Sequence, residues 1–296
     1  MKLNRWMVAI ATLFLFTILA CRKRSETGVV DRDPDPPGRT DSIQKPTDSI
    51  PGDSVVNPDI SSYSITARHL DLNGNTGGFY EALPKDYDSN NNTYPLLVFL
   101  HGGGEVGDGK DDLDLLLING LAKRVAAGNF PSSFTSGDST FSFIMIFPQF
   151  KVWPTPDDVQ AVIDYASNNY RINSKRIYLA GMSMGGGTTW NYAALHGKRL
   201  AAMVTICGAS LGNSATSKQI AETNTPVWSF HNQGDNVVNV GYTTSNIAMI
   251  LALKPDYPYR MTIWPSGEHD AWTEATDPEY REEGKNMYEW ILQYSR

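Results

Sequence analysis

The serine best placed in this chain to attack a carbonyl carbon stands in Gly181-Met182-Ser183-Met184-Gly185, with a glycine two residues to either side. A serine hydroxyl is a poor nucleophile unaided. It needs a base to take its proton, an acid to orient that base, and two N–H donors for the oxyanion that forms. The preceding Arg176-Ile177-Tyr178-Leu179-Ala180 is β-rich and the residues that follow have helical spacing, so Ser183 falls in a sharp strand-to-helix turn. Backbone crowding in such a turn leaves no room for side chains at Gly181 and Gly185, and the helix N-terminus favours negative charge beside the serine. The chemistry these residues suit is acyl transfer.

Five histidines compete for the role of base. His269, in Gly267-Glu268-His269-Asp270-Ala271-Trp272, follows the last predicted strand and would emerge at the carboxyl edge of the sheet, where open α/β folds collect their active sites. It is the candidate base. His69 lies in an early strand, and His196 ends the helix after Ser183, where the helix dipole accounts for it; both read as structural. His101 and His231 end strands and are followed by turn residues, which reads as setting up their loops. For the acid, Asp235 in His231-Asn232-Gln233-Gly234-Asp235-Asn236-Val237-Val238 gives the chain order Ser, Asp, His with room for a helix and a strand between members. Asp270 is the rival, but adjacent residues point apart and rarely meet. The plainer reading of Asp235 is a turn aspartate.

The oxyanion donors follow from position. His101-Gly102-Gly103-Gly104-Glu105 comes directly after a predicted strand, so the Gly103 amide is one candidate donor and the Met184 amide the other. The same loop matches two phosphate-binding patterns by spacing alone. Gly104 to Lys110 fits GxxxxGK but has Asp111 where magnesium needs Ser or Thr, and the GxGxxG at Gly102, Gly104 and Gly107 sits after the third predicted strand. No HExxH or close ligand cluster points to a metal. The expected chemistry needs no cofactor.

These residues must be held by an alternating fold. Apolar β-rich runs at 63–70, 78–83, 96–100, 141–147, 176–180, 202–207, 226–230 and 259–264 alternate with helical segments at 112–127, 157–169, 184–196, 243–253 and 278–294; a short one at 218–222 is marginal. The first two runs, split by Asn73-Gly74-Asn75-Thr76-Gly77, form an antiparallel hairpin. The rest is the pattern of a mostly parallel sheet with helices on both faces, an α/β fold. Only residues 208 to 225 separate two of the later strands, too little for a sizeable helical lid.

Composition bounds the partners. The chain has 296 residues, 41% hydrophobic and 19% charged, with 25 basic and 32 acidic residues for a net charge of -7. That balance, without a basic block, argues against nucleic acid. Two cysteines, Cys21 and Cys207, cannot build a disulfide scaffold. Cys207 lies in an apolar run and reads as a small core residue.

Residues 1–20 read as an export leader: Lys2 and Arg5 precede the uncharged stretch from Trp6 to Ala20, short for a membrane span. It ends in Ile18-Leu19-Ala20-Cys21, which resembles a bacterial lipobox and implies cleavage before Cys21 and lipidation of its thiol. An uncleaved anchor or a plain secretory signal is the alternative. Residues 21–60 lack aromatics and are rich in Pro, Asp, Ser and Gly, the composition of a tether. The folded domain is expected over 61–296, in the cell envelope and attached to a membrane through lipid alone.

Four stretches together resemble a known family: Tyr94-Pro95-Leu96-Leu97-Val98-Phe99-Leu100-His101-Gly102, Arg176 through Gly186, Gly234-Asp235-Asn236-Val237-Val238, and Gly267-Glu268-His269-Asp270-Ala271-Trp272. They are similar to the bacterial α/β-hydrolase serine esterases that group with feruloyl esterases, acetyl xylan esterases and polyhydroxybutyrate depolymerase-like proteins. The resemblance implies Ser183 as nucleophile, Asp235 as acid, His269 as base, and Gly103 and Met184 as oxyanion donors. It implies an ester substrate, such as one borne on a plant or host polysaccharide. Asn232 departs from the family, where a glycine commonly follows the histidine. Trp153 and Trp272 are candidates for stacking on sugar or aryl groups, with packing as the plain alternative. The competing functions are a serine peptidase of the prolyl oligopeptidase type, whose usual propeller does not fit this length, and a surface carbohydrate-binding protein without turnover.

Overall fold

The computed structural model describes residues 63–265 and 267–296. The leader, Cys21 and the tether lie outside the described residues.

Among the described residues the strands are β1 (Tyr63–Arg68), β2 (Thr76–Pro84), β3 (Tyr94–Leu100), β4 (Phe134–Ser136), β5 (Ser139–Phe141), β6 (Ile144–Phe150), β7 (Ile172–Met182), β8 (Ala202–Ile206), β9 (Val227–Asn232) and β10 (Tyr259–Trp264). The α-helices are α1 (Gly120–Ala126), α2 (Pro156–Asn169), α3 (Met184–His196), α4 (Ser214–Thr223), α5 (Gly241–Leu253), α6 (Trp272–Ala275) and α7 (Met287–Ile291). Eight strands make one sheet in the order β1-β2-β6-β3-β7-β8-β9-β10. β2 runs antiparallel to both β1 and β6, while each pair from β6 to β10 is parallel.

A parallel strand is buried on both faces, so it reads as an unbroken apolar run whose side chains alternate between two cores. In β3, Leu97 and Phe99 join one core and Leu96, Val98 and Leu100 the other. The first core is closed by α1, α6 and α7 through Leu121, Val125, Ala275, Tyr288 and Ile291. The second lies under α2, α3, α4 and α5 through Val159, Ile163, Trp190, Ile220 and Ile247. Each fully buried aliphatic or aromatic side chain contributes roughly 1.5–3 kcal/mol. The central strands are therefore a rigid base for the loops at their carboxyl ends.

Four expectations need correction. The helix over 278–294 shrinks to α7, because Glu283 and Gly284 both take positive φ and a Glu282–Lys285 bridge closes a turn there. Asn286 then starts α7 with a capping box to Glu289. The helix over 112–127 splits into a 3₁₀ segment, Leu113–Leu117, and α1, because Gly120 sits at φ 58°. The strand placed at 141–147 is β6 at Ile144–Phe150, and Phe141 belongs instead to the β4–β5 hairpin turning at Gly137. Pro148 is tolerated in β6 because β3 pairs with it only as far as Ile146. Finally, the marginal segment at 218–222 is a full helix, α4, started by an Asn213 capping box. It packs beside α3 and α5, with Ile220 and Ala221 joining the second core.

Candidate active site

β7 delivers Ser183 to the carboxyl edge of the sheet. Its backbone is forced to φ 51° and ψ −116° by the immediate turn into α3, a conformation costing about 1–3 kcal/mol for a non-glycine residue. The turn is pinned from both sides. The Ser183 amide donates to the Ile206 carbonyl at 2.9 Å, and the Gly185 amide donates to the His101 carbonyl at 3.0 Å. Glycine is obligatory around it: a Cβ on Gly181 would lie 2.4 Å from the Gly185 oxygen, and one on Gly186 2.8 Å from Gly208 Cα.

The three residues predicted to converge do so. Ser183 Oγ lies 2.8 Å from His269 Nε2, and His269 Nδ1 lies 2.7 Å from Asp235 Oδ2. A carboxylate only accepts, so Nδ1 carries the hydrogen and Nε2 is left with a lone pair that can accept the Ser183 hydroxyl. Asp235 is buried and its other oxygen, Oδ1, accepts the amides of Val237 and Val238 at 2.9 and 2.8 Å. Burial would raise the Asp235 carboxyl, but hydrogen bonding from His231, His269 and the two amides outweighs it and holds the group well below the usual carboxylate range. Asp270, the rival acid, is exposed and bonds to the Thr273 amide and hydroxyl.

Met184 is the first residue of α3 and Gly103 the first of a 3₁₀ turn, Gly103–Glu105, so neither amide has an intrahelical partner. Gly103 is exposed, with open space where its side chain would be. Beneath it, Glu105 is buried; Oε1 accepts from Asn119 at 2.6 Å, Oε2 finds no partner, and burial pushes the carboxyl up. His101 braces the same loop. Its Nε2 accepts from the Phe150 amide at 3.0 Å, so Nδ1 carries the hydrogen toward the Gly102 carbonyl at 2.6 Å. Burial drops this imidazole to about 4. Both ring nitrogens are engaged away from Ser183, in keeping with a loop-setting role.

The two tryptophans diverge. Trp272 is half-buried and stands edge-on to the His269 ring, centroids 5.3 Å apart, so it packs behind the base. Trp153 lies on the loop after β6 and is 44% exposed, leaving its ring free on the same edge of the sheet.

Two contacts escaped the sequence. Asn232, at the family's usual glycine position, donates through Nδ2 to the Glu268 carbonyl at 2.8 Å and so ties β9 to the loop that carries His269. His231 Nε2 lies 3.2 Å from Asp235 Oδ2; its place four residues before the acid was the available signal. Cys207 is buried, as expected for a core residue, with Sγ 3.6 Å from the His269 carbonyl. Burial pushes its thiol far up. Donor atoms of Cys207, Asp235 and His269 lie within 4.8 Å of one another, yet the Asp235–His269 hydrogen bond and a protonated thiol already occupy them.

The family described as alpha/beta hydrolase fold matches residues 95–248. No curated protein matches the sequence. Among solved structures, a thermostable esterase superposes with a TM-score of 0.56 at 23% identity over 80% of this chain, which spans 64% of that protein's length. The feruloyl esterase module from Clostridium thermocellum, as an alanine mutant with sinapinate, gives a TM-score of 0.56 at 17% identity over 78% of this chain and 90% of its own. An acylaminoacyl peptidase also matches, with a TM-score of 0.50 at 13% identity over 78% of this chain and 44% of its own. At these identities the likeness is one of fold, and with the family match over more than half its length this chain belongs to the alpha/beta hydrolase fold family.

Proposed function

We propose that this protein is a serine carboxylester hydrolase that works through an acyl-enzyme on Ser183. The observation that carries the reading is the unbroken hydrogen-bonded chain from Ser183 Oγ through His269 to Asp235, at 2.8 and 2.7 Å. Ser183 Oγ adds to the ester carbonyl while His269 Nε2 takes its proton, and the Met184 and Gly103 amides hold the oxyanion. The C–O bond to the alcohol then breaks as His269 returns the proton to the leaving oxygen. Water, deprotonated by His269, attacks the acyl-enzyme and releases the acid.

The substrate class in this proposal is an acyl ester, acetyl or feruloyl, displayed on carbohydrate or a similar polymer. Three features support it. α4, the one helix between β8 and β9, packs beside α3 and α5, Gly103 and Gly104 are exposed, and Trp153 is 44% exposed on the same edge. A fold shared with proteins named as feruloyl esterases agrees with it. The proposal extends to the cell envelope, where lipid on Cys21 and the tether would hold the domain near a membrane; no helix among the described residues is long and apolar enough to cross one.

The test is hydrolysis of p-nitrophenyl acetate and of acetylated and feruloylated oligosaccharides by the wild type and Ser183→Ala. Turnover that vanishes in the variant supports the reading. Activity surviving in Ser183→Ala would overturn it, wild-type inactivity with retained sugar binding would favour a binding protein, and peptide cleavage at comparable rate a peptidase.

A further inference from the structure

His231 is fully buried near the end of β9 and touches two elements of the site at once. Its Nε2 lies 2.9 Å from the Val238 carbonyl and 3.2 Å from Asp235 Oδ2, both of which only accept, so Nε2 carries the hydrogen. Its Nδ1, 2.8 Å from Thr243 Oγ1 in α5, therefore accepts the threonine hydroxyl. Val238 is the residue whose amide holds Asp235 Oδ1 at 2.8 Å. His231 thus anchors the turn that clamps one carboxylate oxygen and sets a polarised N–H against the other, the oxygen that receives His269.

We infer that His231 is a positioning residue for acyl transfer: fixed by Thr243, it holds Asp235 in register with His269 and tempers the negative charge that Asp235 presents to the base. The inference rests on the esterase reading and adds a residue to its machinery. The titratable groups facing Asp235 are His231 from β9, His269 from the loop after β10, and the thiol of Cys207 at the end of β8. Asp270 adds its charge near that thiol. Of these, His231 and His269 contact the carboxylate, one on each flank of Oδ2.

The experiment compares His231→Leu, His231→Gln and Thr243→Val with wild type in the full chain, each titrated for active sites with a fluorophosphonate. In His231→Leu, Asp235 loses a flanking donor and acts more strongly on His269, so the acid limb of kcat/KM should move to higher pH by roughly half a unit. Turnover per titrated site should fall roughly tenfold with little change in KM. The glutamine amide can still donate to the Val238 carbonyl and should restore most of both. Thr243→Val, which keeps the imidazole but frees its tautomer, should show the same change more weakly, and it serves if the leucine variant does not fold. An acid limb and a per-site turnover equal to wild type in His231→Leu, or in Thr243→Val if only that variant folds, would overturn the inference while leaving the esterase reading intact. Survival of activity in Ser183→Ala overturns the reading itself.

Discussion

The Cβ that Gly185 lacks would lie 2.4 Å from the carbonyl oxygen of Leu100. The first turn of α3 is therefore pressed against the end of β3, and this contact sets both the height of Ser183 and the start of the glycine-rich loop at Gly102. In Gly185→Ala the backbone must shift. We expect a loss of about 1–3 kcal/mol in urea denaturation, with a larger proportional loss of turnover per folded molecule.

Asp235→Asn should leave the fold intact while removing the acceptor that holds the hydrogen on His269 Nδ1. A drop in kcat on the order of 10³–10⁴-fold is expected from the wrong tautomer. Kinetics alongside a circular dichroism melt separate this from unfolding.

Acid should weaken the fold in two stages. The folded His101 imidazole is lowered from 6.5 to about 4 by burial, so the unfolded chain binds the extra proton first. Stability from this group is complete above pH 6.5 and is lost as pH falls toward 4, by up to roughly 3 kcal/mol. Asp235, also lowered, keeps its contribution until pH drops below its ordinary value of 3.8. Urea midpoints measured from pH 7 to pH 4 should fall in wild type and fall less steeply in His101→Gln.

Asn232→Gly, which puts in place the glycine common in the family that the sequence resembles, should cut the tie to the Glu268 carbonyl. The expected cost is about 1 kcal/mol of stability and a modest fall in kcat, read by chemical denaturation and steady-state assay. An unchanged kcat would show that the loop bearing His269 is held by other contacts.

Because the Cys207 thiol is buried and protonated, iodoacetamide should leave hydrolysis intact under native conditions. Mass spectrometry should find residue 207 unmodified until the protein is unfolded.

Much of the architecture was legible because parallel strands announce themselves as apolar runs. β3 and β8 were found close to their true limits, since both faces of each central strand need apolar side chains; β10, at the edge of the sheet, was marked by its β-branched and aromatic residues between turn residues. Errors gathered where glycine or short polar turns interrupt helical spacing: Gly120 splits one expected helix, and Glu283 with Gly284 truncates another. Periodicity counts apolar positions and is blind to φ. The Asn286-x-x-Glu289 cap was readable and marks the true start of α7.

The amino-acid sequence by itself determined the chemical inventory: a serine in a glycine-framed turn, an aspartate and a histidine in workable order, and a glycine-rich loop after the third strand of the sequence. Motifs of this kind depend on local backbone crowding, which nearby residues dictate. Only the tertiary structure decided that Asp235 and not Asp270 reaches His269, that Trp272 packs behind the base while Trp153 stays free, and that His231 and Asn232 touch the site at all. Asp235 meets His269 and Asn232 meets Glu268 from 34 and 36 residues away, through the register of β9 beside β10. His231 and Trp272 lie only four and three residues from the partners they touch and owe those contacts to how packing turns their side chains.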